Sequence, residues 1–488
     1  MAAFTIPFYL GSHYATPQLT MVSMAGYRLD AALTYTGVFV ALFAMYYLGY
    51  RALAAQPALP AWAVYLPPLL FAAALLAVYP ADGWDLWVYI SQGRTLAVHH
   101  LNPFLVSPQE APQDPFYAYS SWVSHASIYG PVWVVISSFS ALAAGDSIWL
   151  NAVLFKLVSA VFLLASVVLV YLILGRVSPQ RRHLGAFLLA WNPLVLFEVV
   201  GNGHNDMVMV FFALLSLYFL VEGRSLLALP SLGISILTKY STGLLLPGVI
   251  LHQLWQRPRP RRGLALLLGG LALLAAAFYL FGRPFQPAYS LSALLGQGES
   301  FRSSLATLLF LSFRGNFPPQ DVTTIAKVAP LSLFAVLYCC LIAWYTRQAR
   351  VIGLDALLRF GYYSIFFFLI FVPRFLPWYV VWLVGIAALI PGSSLAQRAI
   401  LFSFSAFLSH IVYYFVWGIY GEQVNYFTIE ALGVFVVFAP PLLHWGYSRA
   451  SLRRKLLAKK EQSIAAQEVE ISRPRPIQKN APRGQRTR

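Results

Sequence analysis

The sequence predicts an all-α fold, a polytopic membrane bundle of about 13 transmembrane helices. Of the 488 residues, 59% are hydrophobic and only 10% are charged, whereas soluble domains carry about 25% charged residues. Apolar runs that approach the roughly 20 residues needed to cross a bilayer recur along the chain. Between two of them lies a long polar stretch, 80–128, which predicts an external loop that carries interfacial helices.

The predicted spans are apolar runs separated by polar or basic loops, and 226–254 is expected to break near Lys239. Several are shorter than about 20 residues or contain proline, so kinked or half-length helices around a cavity are expected. The predicted spans are 31–53, 61–79, 129–145, 148–174, 184–200, 206–221, 226–254, 263–282, 327–345, 356–372, 377–391, 399–419 and 425–446.

The domain organisation follows from these runs. Residues 1–30 form a short lead without the features of a cleaved signal, and 31–447 form the transmembrane domain. The tail, 448–488, carries twelve Lys and Arg against three Glu. It is predicted to be cytoplasmic, with a surface helix over 451–460 followed by disorder. The net charge of +17 is explained by membrane orientation and anionic lipids, so nucleic-acid binding is not inferred.

The basic loops define the cytoplasmic side of the predicted topology. Counting back from the tail places 283–326, a second long loop, outside, together with 373–377 and Gly201–Asp206. Counting further back would place 80–128 inside, so the predicted number of crossings between 129 and 200 is wrong by one. We assign 80–128 to the outside because Gly201–Asp206, its expected partner, is placed there.

The first candidate site lies in the external loop. Asp85 opens the stretch DLWVYISQGR, and Asp85 and Tyr89 share one face of a helix. A carboxylate at a membrane surface among aromatic residues suits chemistry on a lipid-borne substrate, so Asp85 is the candidate base. The alternative is an N-capping Asp that opens an interfacial helix. Asp82 is the rival acid, although its Pro-Ala-Asp-Gly context is typical of a turn.

The second candidate site is the stretch WNPLVLFEVVGNGHND, residues 191–206. Glu198 lies inside an apolar span, where an ionisable group is costly and indicates a functional site, or else a hydrogen bond between helices. Gly201 and Gly203 allow a tight turn that brings the backbone near a ligand. The polar residues that follow, His204-Asn205-Asp206, could bind sugar hydroxyls or cap the next helix.

Three cations are candidates for binding a phosphate. Lys239 interrupts an apolar stretch and needs an anionic partner, which could be a lipid phosphate, Glu198 or Asp206; snorkelling to the interface is the alternative. Arg302 and Arg374 lie in predicted external segments, and guanidinium groups bind phosphate with two hydrogen bonds. The alternative for each arginine is a contact with lipid headgroups.

Other kinds of site are not indicated. The sequence has no Walker loop, dinucleotide fingerprint, Cys cluster or acidic metal cage. We therefore expect no cofactor and no metal site; a divalent metal is compatible with the chemistry but not indicated. Without a nucleotide site, an activated sugar more plausibly arrives on a lipid.

With these motifs together, the sequence resembles the multi-spanning GT-C glycosyltransferases, and most of all the polyprenol-phosphomannose-dependent α-1,6-mannosyltransferases of actinobacteria. The resemblance rests on the stretches at 85–94 (DLWVYISQGR), 102–104 (NPF), 128–131 (IYGP), 192–206 (NPLVLFEVVGNGHND), 238–240 (TKY) and 377–379 (PWY). Relatives of this kind often carry a His shortly before Pro-Trp-Tyr, where this chain has Arg374, Phe375 and Leu376.

The resemblance implies a catalytic Asp in the first external loop, which matches Asp85, and an inverting transfer from a polyprenyl-phosphate sugar. We therefore predict a multi-pass glycosyltransferase of the bacterial plasma membrane, with its active site on the external face. The expected sugar is mannose, and the acceptor is a glycolipid or glycan hydroxyl. The predicted substrate-binding residues are Tyr89, Arg94, Asn102, Tyr129, Glu198, His204, Asn205 and Asp206.

The alternative function is a secondary transporter or flippase for a lipid-linked sugar, which would also have broken helices and intramembrane charge. The sequence shows no obvious two-fold repeat of helices, and its longest loops are rich in polar and aromatic residues rather than being short gates. Both observations favour the enzyme.

Overall fold

A computed structural model describes residues 9–55, 60–81, 83–255, 260–285, 301–421 and 423–472. In these ranges all regular secondary structure is helical, and extended segments pair only at isolated bridges. The predicted all-α fold class is therefore confirmed. Asp82 lies outside the described residues, as do 286–300 of the predicted second loop and the end of the tail, 473–488.

The helices follow the predicted spans closely. Those of the first half are Leu10–His13, Met21–Met24, Leu29–Ala55, Ala61–Leu76, Trp84–Ala97, Pro131–Ala144, Ile148–Val177, Arg182–Ala190, Pro193–Val195, Asp206–Val221, Ser225–Thr238 and Leu246–Trp255. Those of the second half are Pro260–Phe285, Leu305–Phe313, Pro319–Ile352, Leu354–Phe371, Val380–Ala387, Ser394–His410, Trp417–Tyr420 and Tyr426–Ser472.

Tighter and wider helical turns connect some of these helices. The 3-10 turns are Pro108–Glu110, Tyr117–Tyr119, Pro179–Arg181, Tyr240–Leu245 and Pro377–Tyr379, and the π-helical segments are Leu196–Gly201 and Ile411–Val416. Both π-helical segments adjoin residues of the candidate site described below, as π-bulges often do.

Many of the helices are apolar enough for a membrane. Among the residues that the structure describes, six helices are long enough to cross it, namely Leu29–Ala55, Ile148–Val177, Pro319–Gln348, Leu354–Phe371, Ser394–Tyr420 and Tyr426–Ser451. The pair Pro179–Ala190 and Pro193–Gly201, bent by 47°, counts as a seventh span if it is one broken helix, and six other apolar helices are shorter. The chain is a multi-pass membrane protein, while the count of about 13 crossings stays a prediction.

The breaks expected from the sequence are present. The predicted span 226–254 divides at Thr238, where Lys239 adopts an extended conformation before the turn Tyr240–Leu245. The span 184–200 bends at Asn192, whose side-chain oxygen accepts the backbone N–H groups of Leu194 and Val195 and caps the following helix.

The predicted first loop is held together by a buried cation. The Arg94 guanidinium donates to Asp114 at 2.8 Å and to Asp146 at 2.7 Å, and it also donates to the carbonyl of Gly145. His99 lies 2.7 Å from the same Asp114 carboxylate. These contacts fix the helix Trp84–Ala97 against the loop that follows it and against the end of the next helix. The side of the membrane on which the loop lies stays a prediction.

A second buried cation fixes the approach to that helix. Lys156 is fully buried, and its Nζ donates to the carbonyl oxygens of Leu75, Leu76 and Val78 at 2.5–3.2 Å. These carbonyls end the helix Ala61–Leu76, where the negative end of the helix dipole favours a cation. The chain therefore leaves this helix in a fixed direction.

Two glycines allow backbone segments to approach closely around the candidate site. A Cβ atom on Gly83 would lie 2.4 Å from the carbonyl oxygen of Asn202, and one on Gly130 would lie 1.8 Å from that of Leu237. The Gly130 N–H donates to the carbonyl of Thr238 at 3.0 Å. The first contact joins the predicted first loop to the turn before Asp206, and the second joins the start of the helix Pro131–Ala144 to the end of the helix Ser225–Thr238.

The last helix, Tyr426–Ser472, contains the boundary between two compact units, Met1–Pro441 and Leu442–Arg488. In the second unit the helix continues to Ser472, twelve residues beyond the segment 451–460 for which a helix was predicted. Every candidate site residue belongs to the first unit.

We expect Gly130→Ala to reduce stability strongly, because its new methyl group would overlap the carbonyl of Leu237 and overpacking costs about 1–3 kcal/mol or more. Gly37→Ala is the matched control, since nothing lies within 4 Å of its Cβ position and alanine favours a helix interior. Thermal unfolding in detergent measures both. Equal melting temperatures for Gly130→Ala and wild type would contradict this close packing.

Candidate active site

Asp85 lies in the first turn of the helix Trp84–Ala97, one residue after the first helical residue. The N-cap is Gly83, so the alternative of Asp85 as the N-capping residue is not what the structure shows. Its side chain is 20% exposed, and the positive end of the helix dipole stabilises a carboxylate at this position. Asp85 is therefore a carboxylate that a substrate can reach.

Two tyrosines orient the Asp85 carboxylate. Tyr129 donates its hydroxyl to Oδ2 of Asp85 at 3.0 Å, and the hydroxyl of Tyr89 lies 3.5 Å from the same oxygen. A carboxylate oxygen accepts, so the Tyr129 hydroxyl is the donor in this contact. The structure thus brings together three residues that the sequence predicted for the site.

A chain of alternating carboxylates and imidazoles extends inward from Asp85. Nδ1 of His204 lies 3.8 Å from Oδ2 of Asp85, and Nε2 of His204 lies 3.4 Å from Oε2 of Glu198. Oε1 of Glu198 lies 2.6 Å from Nε2 of His410. His204 also stacks on Trp378, with ring centroids 3.9 Å apart. The predicted residues Glu198 and His204 are buried here, behind Asp85.

The remaining residues of the 191–206 stretch form a second buried cluster. Oδ1 of Asp206 accepts hydrogen bonds from Nζ of Lys239 at 2.7 Å and from the indole N–H of Trp382 at 2.5 Å. Oδ1 of Asn205 accepts from the hydroxyl of Tyr89 at 3.2 Å. The structure therefore pairs Lys239 with Asp206, one of the anionic partners that the sequence allowed, and the predicted phosphate contact stays untested.

Arg302 and Arg374 lie side by side, although they are 72 positions apart in the chain. Their segments pair at an isolated parallel bridge, in which the N–H of Phe375 donates to the carbonyl of Arg302 at 2.9 Å. The guanidinium of Arg302 lies 5.0 Å from the ring centroid of Tyr413, and that of Arg374 lies 5.1 Å from that of Trp122. Both predicted phosphate-binding arginines therefore belong to one site.

Glu430 anchors this pair of segments. The fully buried carboxylate accepts the backbone N–H of Ser303 and the hydroxyls of Tyr413 and Tyr426, each at 2.8 Å. Ser303 has a φ of +51°, a conformation that costs a non-glycine residue free energy. The contact with Glu430 compensates for this strain and fixes the residue next to Arg302.

Three cavities meet at these residues. A small cavity of about 50 Å³ has Asp85, Arg302, Arg374 and His410 among its wall residues. A side cavity of about 60 Å³ lies against Asp85, Tyr129 and Arg374. The large cavity, of about 970 Å³, shares Arg302 with the small one and is rich in aromatic side chains. Asp85 and the two arginines thus line the same small cavity.

Two predicted substrate-binding residues are placed elsewhere. Arg94 is buried and makes its charged contacts with Asp114 and Asp146. Oδ1 of Asn102 accepts the backbone N–H of Phe104 at 3.0 Å, which is typical of an Asx turn. Among the described residues, neither lies on the wall of the cavities that contain Asp85. Their predicted role as substrate contacts stays untested, and their observed contacts stabilise the loop.

Sequence reasoning missed His410, Glu430, Trp382 and Lys156. Glu430 and Lys156 lie inside predicted apolar spans, and the rule that selected Glu198 would have found them. His410 is likewise an ionisable side chain inside a predicted span, 399–419. Trp382 had no signal, because an aromatic residue in an apolar helix is ordinary. Within the described part of the chain no group of three or more His, Cys, Asp or Glu side chains has the arrangement of a metal site.

Comparison with known proteins identifies the family. Residues 9–257 match the family model described as "Alpha-(1->6)-mannopyranosyltransferase, N-terminal domain". The chain is 26% identical over 401 residues to alpha-(1->6)-mannopyranosyltransferase A of Mycobacterium tuberculosis, an alignment that covers 77% of this chain and 74% of the relative. No solved structure matches. The predicted membrane glycosyltransferase is thus confirmed, and the chain belongs to the alpha-(1->6)-mannopyranosyltransferase family.

Proposed function

We propose that this protein transfers mannose from a polyprenyl-phosphate donor to a hydroxyl group of a glycolipid or glycan acceptor, on the external face of the membrane. Asp85 is the general base, and the transfer inverts the anomeric centre. The observation that carries the proposal is the small cavity, in which a reachable carboxylate faces two adjacent arginines. This arrangement suits a reaction that removes one proton and releases one phosphate.

The two oxygens of Asp85 have different surroundings. Oδ2 lies within hydrogen-bond range of both Tyr129 and Tyr89, whereas Oδ1 has no protein partner among the described residues. In the proposed step Oδ1 accepts the proton of the acceptor hydroxyl while the hydroxyl oxygen attacks the anomeric carbon. The bond from that carbon to the phosphate oxygen breaks, and its electron pair leaves with the polyprenyl phosphate.

Arg302 and Arg374 are the groups best placed to bind the departing phosphate. Guanidinium groups bind phosphate with paired hydrogen bonds, and pre-positioned cations stabilise the charge that develops as the bond breaks. The bridge between their segments and the contact of Glu430 with Ser303 hold the two arginines in place without the substrate.

The sizes of the cavities fit a two-part substrate. The small cavity has room for little more than the reacting groups, and the large cavity, at about 970 Å³, is at the upper end of ligand-pocket volumes. One displacement with one base inverts the reacting carbon, so an α-linked product, as in the names of the relatives, requires a β-linked donor phosphate. The external position of the site rests on the loop topology predicted above.

We expect Asp85→Asn to lower kcat by about 10²- to 10⁴-fold, because general-base catalysis typically contributes that much. The purified protein would be assayed with a labelled polyprenyl-phosphate mannose and an α-1,6-linked oligomannoside acceptor. Asp355→Asn is the matched control, since its side chain is 42% exposed and pairs with Arg359 on the same helix, away from the site. Transfer by Asp85→Asn at close to the wild-type rate would place the base elsewhere.

We expect Arg302→Ala and Arg374→Ala each to weaken use of the donor by about 10- to 100-fold in kcat/KM, because a charged hydrogen bond contributes roughly 1.5–3 kcal/mol. KM for the acceptor should change little. Arg176→Ala is the control, since Arg176 is paired with Glu222 on an exposed surface. Unchanged kcat/KM for the donor in both arginine variants would show that the phosphate does not bind in this cavity.

Lys239 is expected to stabilise the fold more than it binds phosphate, because it is paired with the buried Asp206. Lys239→Met leaves that carboxylate uncompensated, which typically costs about 3–5 kcal/mol. Adding Asp206→Asn should recover part of the lost melting temperature. A Lys239→Met protein of normal stability that has a raised donor KM would instead support the predicted phosphate contact.

A further inference from the structure

We propose that His204, Glu198 and His410 form a buried proton relay that takes the acceptor's proton from Asp85 and delivers it to His410. The relay rests on the proposed function, because it needs Asp85 to act as the base. It assigns a role in the reaction to His410, which neither the sequence motifs nor the family comparison indicated.

The four side chains follow one another without a gap, although only the last link, between Glu198 and His410, is a hydrogen bond in this structure. The three successive separations between carboxylate oxygen and imidazole nitrogen are 3.8, 3.4 and 2.6 Å, from Asp85 to His204, from His204 to Glu198 and from Glu198 to His410. Each imidazole nitrogen involved faces a different carboxylate oxygen, which is the arrangement that stepwise proton transfer needs. The exposed fraction is 0% for Glu198 and His204 and 2% for His410, so bulk water does not compete for the proton.

His204 lacks the hydrogen bonds that would complete the relay before substrate binds. Neither of its ring nitrogens makes a hydrogen bond with protein in this structure, although both are buried. A buried polar group without a hydrogen bond costs about 1–3 kcal/mol. A proton that arrives on Asp85 supplies the missing donor, and catalytic hydrogen bonds are often long before substrate binds. Stacking on Trp378 keeps the ring between the two carboxylates.

The proton balance is as follows. At rest one proton is shared between Oε1 of Glu198 and Nε2 of His410, and the other ring proton of His410 is on Nδ1. The acceptor hydroxyl gives its proton to Oδ1 of Asp85, and rotation of the protonated carboxyl group presents that proton to Nδ1 of His204. Nε2 of His204 gives its own proton to Oε2 of Glu198, and the shared proton passes fully to His410. The acceptor has then lost one proton, Asp85 is again a carboxylate, His204 and Glu198 are neutral, and His410 is an imidazolium.

The end of the relay lies where positive charge is useful. His410 is on the wall of the small cavity, together with Arg302 and Arg374. When the carbon–phosphate oxygen bond breaks, the phosphate gains negative charge, and the relay places an imidazolium at that wall at the same time. Electrostatic stabilisation of developing charge in an enclosed site is among the largest contributions to catalysis. The relay therefore couples deprotonation of the acceptor to release of the donor phosphate.

The test compares His410→Gln and His204→Gln with wild type, Asp85→Asn and the control His183→Gln. Glutamine can accept and donate hydrogen bonds but cannot carry the proton. His183 contacts Tyr65 and has no part in the site. We expect kcat to fall at least about tenfold in both relay variants. KM for the donor should stay within about twofold of the wild-type value, and the melting temperature within a few degrees.

Proton inventories in mixtures of light and heavy water provide the readout that a structural role would not change. Wild type should give a curved plot of kcat, because several protons move, and His204→Gln should give a straight one. The relay is overturned if both plots are equally curved, if a relay variant has the wild-type kcat, or if its only change is a raised donor KM.

The same assays separate the relay from the proposed function. If the wild type makes no mannoside, the proposed function is wrong. If it makes mannoside and only Asp85→Asn is inactive, Asp85 is the base and the relay is wrong. Should one glutamine variant fail to fold, the other decides.

Discussion

The pairing of buried charges constrains this structure more than any other interaction. A lone ionised side chain inside an apolar bundle costs several kcal/mol, and pairing removes most of that cost only when the geometry is good. Glu198 lies between two imidazoles, Asp206 holds Lys239, and Lys156 caps three carbonyl groups. Because each pair joins different helices, the helices cannot shift without separating charges.

These pairs also position the reacting groups. The contact of Asp206 with Lys239 joins the 191–206 stretch to the break in the span 226–254, and Lys156 fixes the chain just before Asp85. The carboxylate of Glu430 does the same for Arg302, through the strained Ser303. In the proposed mechanism stability and catalysis therefore depend on the same side chains, which protein contacts hold in place before substrate binds, as electrostatic catalysis requires.

The helices could be predicted because hydrophobic runs and their interruptions are local properties of the chain. The break at Thr238 and the bend at Asn192 both followed from polar residues and proline within apolar runs. Asp85, Tyr89, Tyr129, Glu198 and His204 were predicted and are found in one cluster. The signals that selected them, an acid near an interface and an ionisable group in a span, are also local.

The partners of those residues could not be predicted, because pairing depends on which helices become neighbours. Glu198 and His410 are 212 positions apart, and Arg302 and Arg374 meet only through a backbone bridge. Arg94 shows the same limit: its motif suggested a substrate contact, which stays a prediction, and the sequence did not indicate that Asp114 and Asp146 pair with its guanidinium. A sequence pattern shows that a charge is present, but not which group neutralises it.

The two π-helical segments set a limit on how this chain can vary. Each contains a wide turn, one in the segment that carries Glu198 and the other directly after His410. Loss of one residue from such a turn would restore ordinary α-helical winding and rotate everything beyond it by about 100°. The side chains before and after the turn, such as Glu198 and His204 or His410 and Trp417, would then change their relative directions. Substitutions in these segments can be tolerated, but a deletion of a single codon cannot.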